Sequence, residues 1–226
     1  MHNYLIAFFF FVSFSVSAQF EHSEFYFVGR FSFGMGMNKY TYESELEGTS
    51  TDIPRSLQIE LGSGIIPELG FGFKLVENIY VETSVSYAKT TDFYTTTGVN
   101  GINEQGYSFN RYVIQLNGKY FVPINKRFVM DFNGGASFSM PQELIVKMSG
   151  YTEVIKYSGS NGLQVGFAGV YLLGNVSFSG GLRYRLERFT RKQGQDVPAN
   201  FDVLNPNFDK ISSSGVDVAF SFFYNF

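Results

Sequence analysis

The chain has 226 residues, no Cys, and 17 basic against 20 acidic side chains, giving a net charge near −3. The lack of Cys excludes a disulfide scaffold, a thiolate metal site, a Cys nucleophile and a lipid-anchoring Cys, and the acidic balance argues against a nucleic-acid-binding domain. Length points to a single domain, while 27 Phe, 24 Gly and 15 Tyr with only 16% charged residues are unusual for a soluble enzyme.

Leu5 to Val16 form an apolar run of twelve. That is too short for a membrane-crossing helix, which needs about 20 residues. Val16-Ser17-Ala18 places small residues before Gln19, as a signal-peptidase site requires. Residues 1–18 are therefore read as a cleaved signal peptide and 19–226 as one domain. No Lys or Arg precedes the apolar run, so a retained anchor is the alternative.

Eight segments then alternate with a period of two, which in a strand sends successive side chains to opposite faces. The apolar parity of the first carries Phe25, Phe27, Phe31, Phe33, Met35 and Met37. The second carries Ile59, Leu61, Ile65, Leu69, Phe71 and Phe73, and the third Ile79, Val81, Val85 and Tyr87. The fourth has Tyr112, Ile114, Leu116, Tyr120 and Val122, and the fifth Phe128, Met130, Phe132, Phe138 and Met140. The sixth has Leu163, Val165, Phe167 and Tyr171, although Val170 and Leu172 blur its end. The seventh has Val176, Phe178, Leu182, Tyr184 and Leu186, and the eighth Val216, Val218, Phe220, Phe222, Tyr224 and Phe226. These segments are longer than the ~5–6 residues of an ordinary strand and long enough to cross a bilayer at a tilt, which takes about 9–11.

The links alternate as well. Short ones surround Glu77-Asn78, Ile124-Asn125-Lys126 and Gly174-Asn175, and long ones span 38–58, 91–108, 141–161 and 188–211. Strict alternation puts all long links at one end of an up-and-down sheet and both termini at the other.

A soluble lipocalin-like barrel would show the same alternation with the apolar parity inward. Four features select the inverted arrangement. The second parity is mostly Gly, Ser and Ala, which suits the narrow lumen of an eight-stranded barrel. Its charges balance: Arg30, Lys74, Arg111, Lys119, Arg183 and Arg185 against Glu60, Glu68, Glu82, Asp131, Glu187 and Asp217. Buried charges must be paired to be tolerated, so these twelve are expected to form two stacked ion-pair layers plugging the lumen. Aromatics collect at both segment ends, including Phe25, Phe128 and Tyr224 at one and Tyr112, Phe138 and Phe189 at the other, as in interfacial girdles. Finally, the last segment runs to Phe226. Pro67, which lacks a ladder donor, predicts a bulge or local distortion.

Phe222, Tyr224 and Phe226 close an alternating aromatic strand that resembles the C-terminal assembly signal of bacterial outer-membrane proteins. With the leader, the whole mature chain resembles the small eight-stranded barrels of the OmpA/OmpX type, and its cleavage region and Tyr/Phe richness resemble outer-membrane β-barrel domain proteins of Bacteroidetes. The resemblance implies an all-β, antiparallel, eight-stranded transmembrane barrel with short periplasmic turns and four long extracellular loops. It also implies residence in the outer membrane of a Gram-negative bacterium with both termini periplasmic, and partners among outer-membrane lipids and the barrel assembly machinery.

Chemistry has little support. The chain has two His, His2 in the leader and His22 before the first segment. No Ser-Lys, carboxylate-pair or metal-ligand pattern stands out, and the glycine-rich stretches alternate instead of opening a helix as a phosphate loop does. Glu43, Glu45, Glu47 and Asp52 do not match a calcium-loop spacing and are read as a solvated loop face. The expectation is a non-enzymatic barrel without cofactor or nucleic acid, binding an extracellular ligand through its loops or supporting the envelope. A narrow channel, or a barrel component of a secretion system, is the alternative.

Overall fold

The computed structural model describes residues 24–43, 56–98, 101–148, 151–192 and 208–226. Eight long strands close into one antiparallel barrel. In chain order they are β1 (Phe25–Gly36), β4 (Gly64–Val76), β5 (Ile79–Gly98), β6 (Gly101–Asn125), β7 (Phe128–Ser139), β10 (Ser160–Leu173), β11 (Val176–Thr190) and β13 (Gly215–Asn225). The neighbour order β5-β4-β1-β13-β11-β10-β7-β6 is closed by pairing of β5 with β6. The barrel therefore has no free edge, which removes the unpaired donors and acceptors that edges expose.

The short connections follow their residues. Gly174 takes φ 62° between Leu173 and Val176, which pair in register. Asn78 takes φ 63° beside a register shift at Lys74/Val76. Such left-handed conformations favour Gly and Asn. In the third turn the Asn125 side chain accepts the N–H groups of Arg127 and Phe128, each at 2.9 Å, a side-chain substitute for a backbone turn bond.

The expected parity sorts the two faces. Phe27, Phe33, Leu69, Leu116, Phe132, Leu163, Phe178 and Phe220 point outward and are exposed, while Ser32, Glu68, Ser84, Gln115, Asp131, Arg183 and Asp217 are buried inside. Small lumen residues leave room for long ones. A Cβ built on Gly72 would lie 2.0 Å from the Tyr26 ring, and one on Gly34 would lie 3.1 Å from Asp217.

The long links depart from the sequence reading. The stretch 91–108 continues β5 and β6 as a hairpin paired up to Gly98–Gly101. Residues 141–161 form β8 (Gln142–Met148) and β9 (Tyr151–Tyr157), with β8 pairing β6 at Gly106–Phe109. In 38–58, β2 (Lys39–Glu43) pairs β3 (Ser56–Glu60), and β12 (Lys210–Ser212) pairs the end of β11. Most of this "loop" sequence is thus strand above the rim, because polar and turn residues mark solvent exposure as well as irregular backbone.

The second segment also breaks. A bend at Leu61–Ser63, followed by Gly64 at φ 122°, separates β3 from β4. Ile59 and Leu61, expected to face outward, are instead fully buried. Phe189, expected in an outer girdle, is buried too, and so is Val122, beside a register shift at Pro123/Asn125. Pro67 gives the expected local distortion without a bulge. Its missing N–H interrupts the ladder to β5 between the Ile65–Lys89 and Glu68–Ser86 pairs, while register with β1 is kept. The leader, His22, Glu45, Glu47 and Asp52 lie outside the described residues.

Candidate functional site: a sealed lumen

Three layers fill the tube. At the short-turn end Tyr26, Val28, Tyr80, Phe121, Val129, Val170, Leu172 and Phe223 form a buried apolar floor. Val170 and Leu172, which blurred the sixth segment, belong to it. Tyr26 meets Tyr80 at 5.7 Å and Phe223 at 5.5 Å between ring centroids, and Tyr80 meets Phe121 edge-on at 5.2 Å.

Above the floor runs one chain of alternating charges. Lys119 Nζ lies 3.0 Å from both Asp131 and Glu82, and 5.0 Å above the Phe223 ring, joining the chain to the floor. Arg30 bonds Glu82 at 2.9 Å with one nitrogen and Glu68 with the other. Arg183 spans from Glu68 at 2.8 Å to Asp217 at 3.1 Å. Arg185 grips both Asp217 oxygens, at 2.7 and 2.8 Å, and reaches Glu187 at 3.5 Å. Arg111, fully buried, ends the chain on Glu187 at 2.5 Å. Five acids thus alternate with five bases and sum to zero charge.

Neutral side chains satisfy much of what the ions leave, while among the described residues Arg111 Nε and Nη2 and Asp131 Oδ1 have no hydrogen-bond partner. Tyr26 donates to Glu82 at 3.0 Å and Ser84 to Glu68 at 2.8 Å. Gln164 donates to Gln115 at 2.7 Å and Asn117 at 2.6 Å, and Ser213 donates to Glu187 at 2.7 Å. A buried charge needs such surroundings, since its desolvation otherwise exceeds its attraction to a partner. The cavity beside Arg30, Asp131 and Gln164 holds ≈ 30 Å³, the scale of one or two waters.

At the long-loop end the strands' extensions build an apolar cap. Leu57, Ile59 and Leu61 meet Tyr107, Phe109, Leu144, Val146, Ile155, Tyr157, Phe189, Phe208 and Ile211. Phe109 packs edge-on against Phe189 at 5.4 Å. Tyrosine hydroxyls tie the cap to loop backbone: Tyr157 donates to the Phe208 carbonyl at 3.0 Å, and Tyr107 to the Glu60 carbonyl at 3.0 Å. Burial pushes the Tyr157 hydroxyl well above its usual value, so it stays a neutral donor.

Ten of the twelve expected lumen ions lie in this chain, arranged as one continuous run and not as two layers, because Glu68 and Arg183 bridge the halves. Glu60 is not in it. It sits on β3, half-exposed, accepting the Gly36 N–H at 3.1 Å and facing Lys39 at 4.0 Å. Lys74 lies half-buried at the short-turn rim, near the end of β4. Phe222 and Tyr224 on β13 and Phe226 just past it are all exposed, and the Phe226 N–H bonds the Phe25 carbonyl at 3.1 Å, so the described chain ends meet at the short-turn end. The cap escaped sequence reading altogether. Its only signal was a set of apolar residues, such as Leu144, Val146 and Ile155, inside stretches assigned to loops.

No protein-family model and no curated protein matches the sequence. Solved structures do match in shape. The outer membrane protein OprG from Pseudomonas aeruginosa superposes with a TM-score of 0.56 at 12% identity, covering 93% of this chain and 99% of that one. Neisserial surface protein A gives 0.49 at 14% identity, covering 90% and 98%. Ail, the attachment invasion locus protein of Yersinia pestis, gives 0.45 at 11% identity, covering 90% and 99%. The chain has the fold of the small eight-stranded outer-membrane β-barrels. These neighbours lend no support to the Bacteroidetes resemblance.

Proposed function

We propose that this chain is a non-enzymatic, non-conducting barrel of a Gram-negative outer membrane, exported by a cleaved leader. Its short turns and termini face the periplasm. Its extended strands and long loops form the outer surface, where they bind a ligand or support the envelope. The observation that carries the reading is the closed lumen: floor, charge chain and cap lie in series, beneath a wall whose outward side chains are apolar. The same observation favours this reading over a narrow channel. Planar-bilayer recording of the refolded protein tests it. No stepwise conductance above the lipid baseline is expected, and a steady open pore would overturn the sealed-lumen reading.

The aromatic C-terminal strand supports recognition by the barrel assembly machinery. Removing Phe226 is expected to lower the amount of assembled protein in outer-membrane fractions, while refolding of purified protein into detergent changes little. Unchanged outer-membrane levels would count against the assembly signal.

A further inference from the structure

The outward row of β11 changes chemistry at one point. Val176, Phe178, Gly180, Leu182, Tyr184 and Leu186 are followed by Arg188, Thr190 and, just past the strand, Lys192. Ten residue steps of ~3.3 Å at a tilt of ~40° rise about 25 Å, the height of the apolar band of a transmembrane barrel. Arg188 therefore falls at the upper edge of the band.

Neighbouring strands add cations at the same level. Arg191 bridges Tyr157, and the Lys192 N–H bonds the Lys156 carbonyl at 3.0 Å, so Lys192 and Lys156 stand side by side. Lys210 faces Thr190 in register. All four cations, Lys156, Arg188, Lys192 and Lys210, are exposed. Nearby acids include Glu143, 3.9 Å from Lys156, Asp209, 3.8 Å from Arg191, and Glu153, close to Tyr157. Lys192 and Lys156 are like charges on opposed positions, which repel, and Lys210, opposite Thr190, stands diagonal to both Arg188 and Lys192, so an anion among them lowers the repulsion.

Directly below, Leu186 pairs in register with Leu163, and both are exposed. A phosphate above two apolar side chains matches a lipid, whose headgroup and acyl chains sit in that order, better than a free anion. We propose that Arg188, Lys192 and Lys210 form a site for the phosphate-bearing headgroup of a lipid in the leaflet at the long-loop end. The inference rests on the membrane reading above. Lys156, already shared with Glu143, flanks the site.

The test uses the full mature chain refolded into mixed micelles of bisphosphorylated lipid A and phosphatidylcholine. A heat-modifiable band in cold SDS first establishes the folded barrel. Native mass spectrometry then counts retained lipid. The wild type is expected to enrich lipid A over phosphatidylcholine about a hundredfold, given roughly 1 kcal/mol for each of three basic residues near an anionic surface. The triple variant R188Q/K192Q/K210Q should lose that enrichment, while K126Q/R127Q at the opposite rim should keep it. Full enrichment in the triple variant overturns the site. So does displacement by millimolar glycerol phosphate, which would mark a free-anion site, or binding of heparin in place of lipid. Failure of the band to shift on heating would instead overturn the membrane reading itself.

Discussion

Glu187→Leu is expected to lower the stability of the folded barrel by about 3–5 kcal/mol, the cost of stranding one partner of a buried ion pair. Glu187 is the carboxylate that the Arg111 guanidinium touches, and Arg111 is fully buried under the cap. Other links in the chain are less sensitive, since Arg30 and Arg183 each hold two carboxylates. The double variant Arg111→Met/Glu187→Leu should recover most of the loss, because apolar residues of similar volume replace a buried pair with little penalty. Glu60→Gln, half-exposed at the rim, should cost less than about 1 kcal/mol. Urea titration of refolding into lipid vesicles measures all three. Equal losses for Glu187→Leu and Glu60→Gln would show that the alternating chain does not hold the lumen together.

Phe132→Arg places a charge on the outer wall within the apolar band and is expected to cost about 2–4 kcal/mol in a bilayer. Phe132 stands between Tyr120 and Phe167 in register, and all three are exposed. Thr91→Arg, on the extension of β5 above the band, should change stability little. The same titration distinguishes them. An Arg at 132 tolerated as well as an Arg at 91 would mean that the Phe-rich face does not meet hydrocarbon.

The identity of each lumen ion was legible because side-chain alternation is local. Ten of the twelve charges on the second parity face inward wherever the strands pair, and the six-against-six balance required partners for them. Who pairs with whom was not legible. Arg30 and Glu68 are register neighbours, as are Arg183 and Asp217, but Arg183–Glu68 and Arg111–Glu187 cross the lumen between strands far apart in sequence. Those contacts depend on the stagger of a closed barrel, which no single segment encodes. Glu60 shows the converse error. Its parity was right for β4, but the bend at Leu61–Ser63 puts it on a separate hairpin.

Period-two patterning over eight long segments determined an all-β barrel, because strand side chains alternate regardless of what pairs with them, and the small, charge-balanced second parity with aromatic segment ends turned its greasy face outward. The ionic plug was expected from the charge balance, and tertiary structure alone decided that apolar layers shut the tube above and below it. The floor draws one side chain or two from each of six strands, and the cap gathers Leu57, Phe109, Leu144, Ile155, Phe189 and Phe208 from six separate stretches of chain. Burial of that kind arises from closure in three dimensions, and apolar residues scattered through polar stretches carry no period from which it could be read.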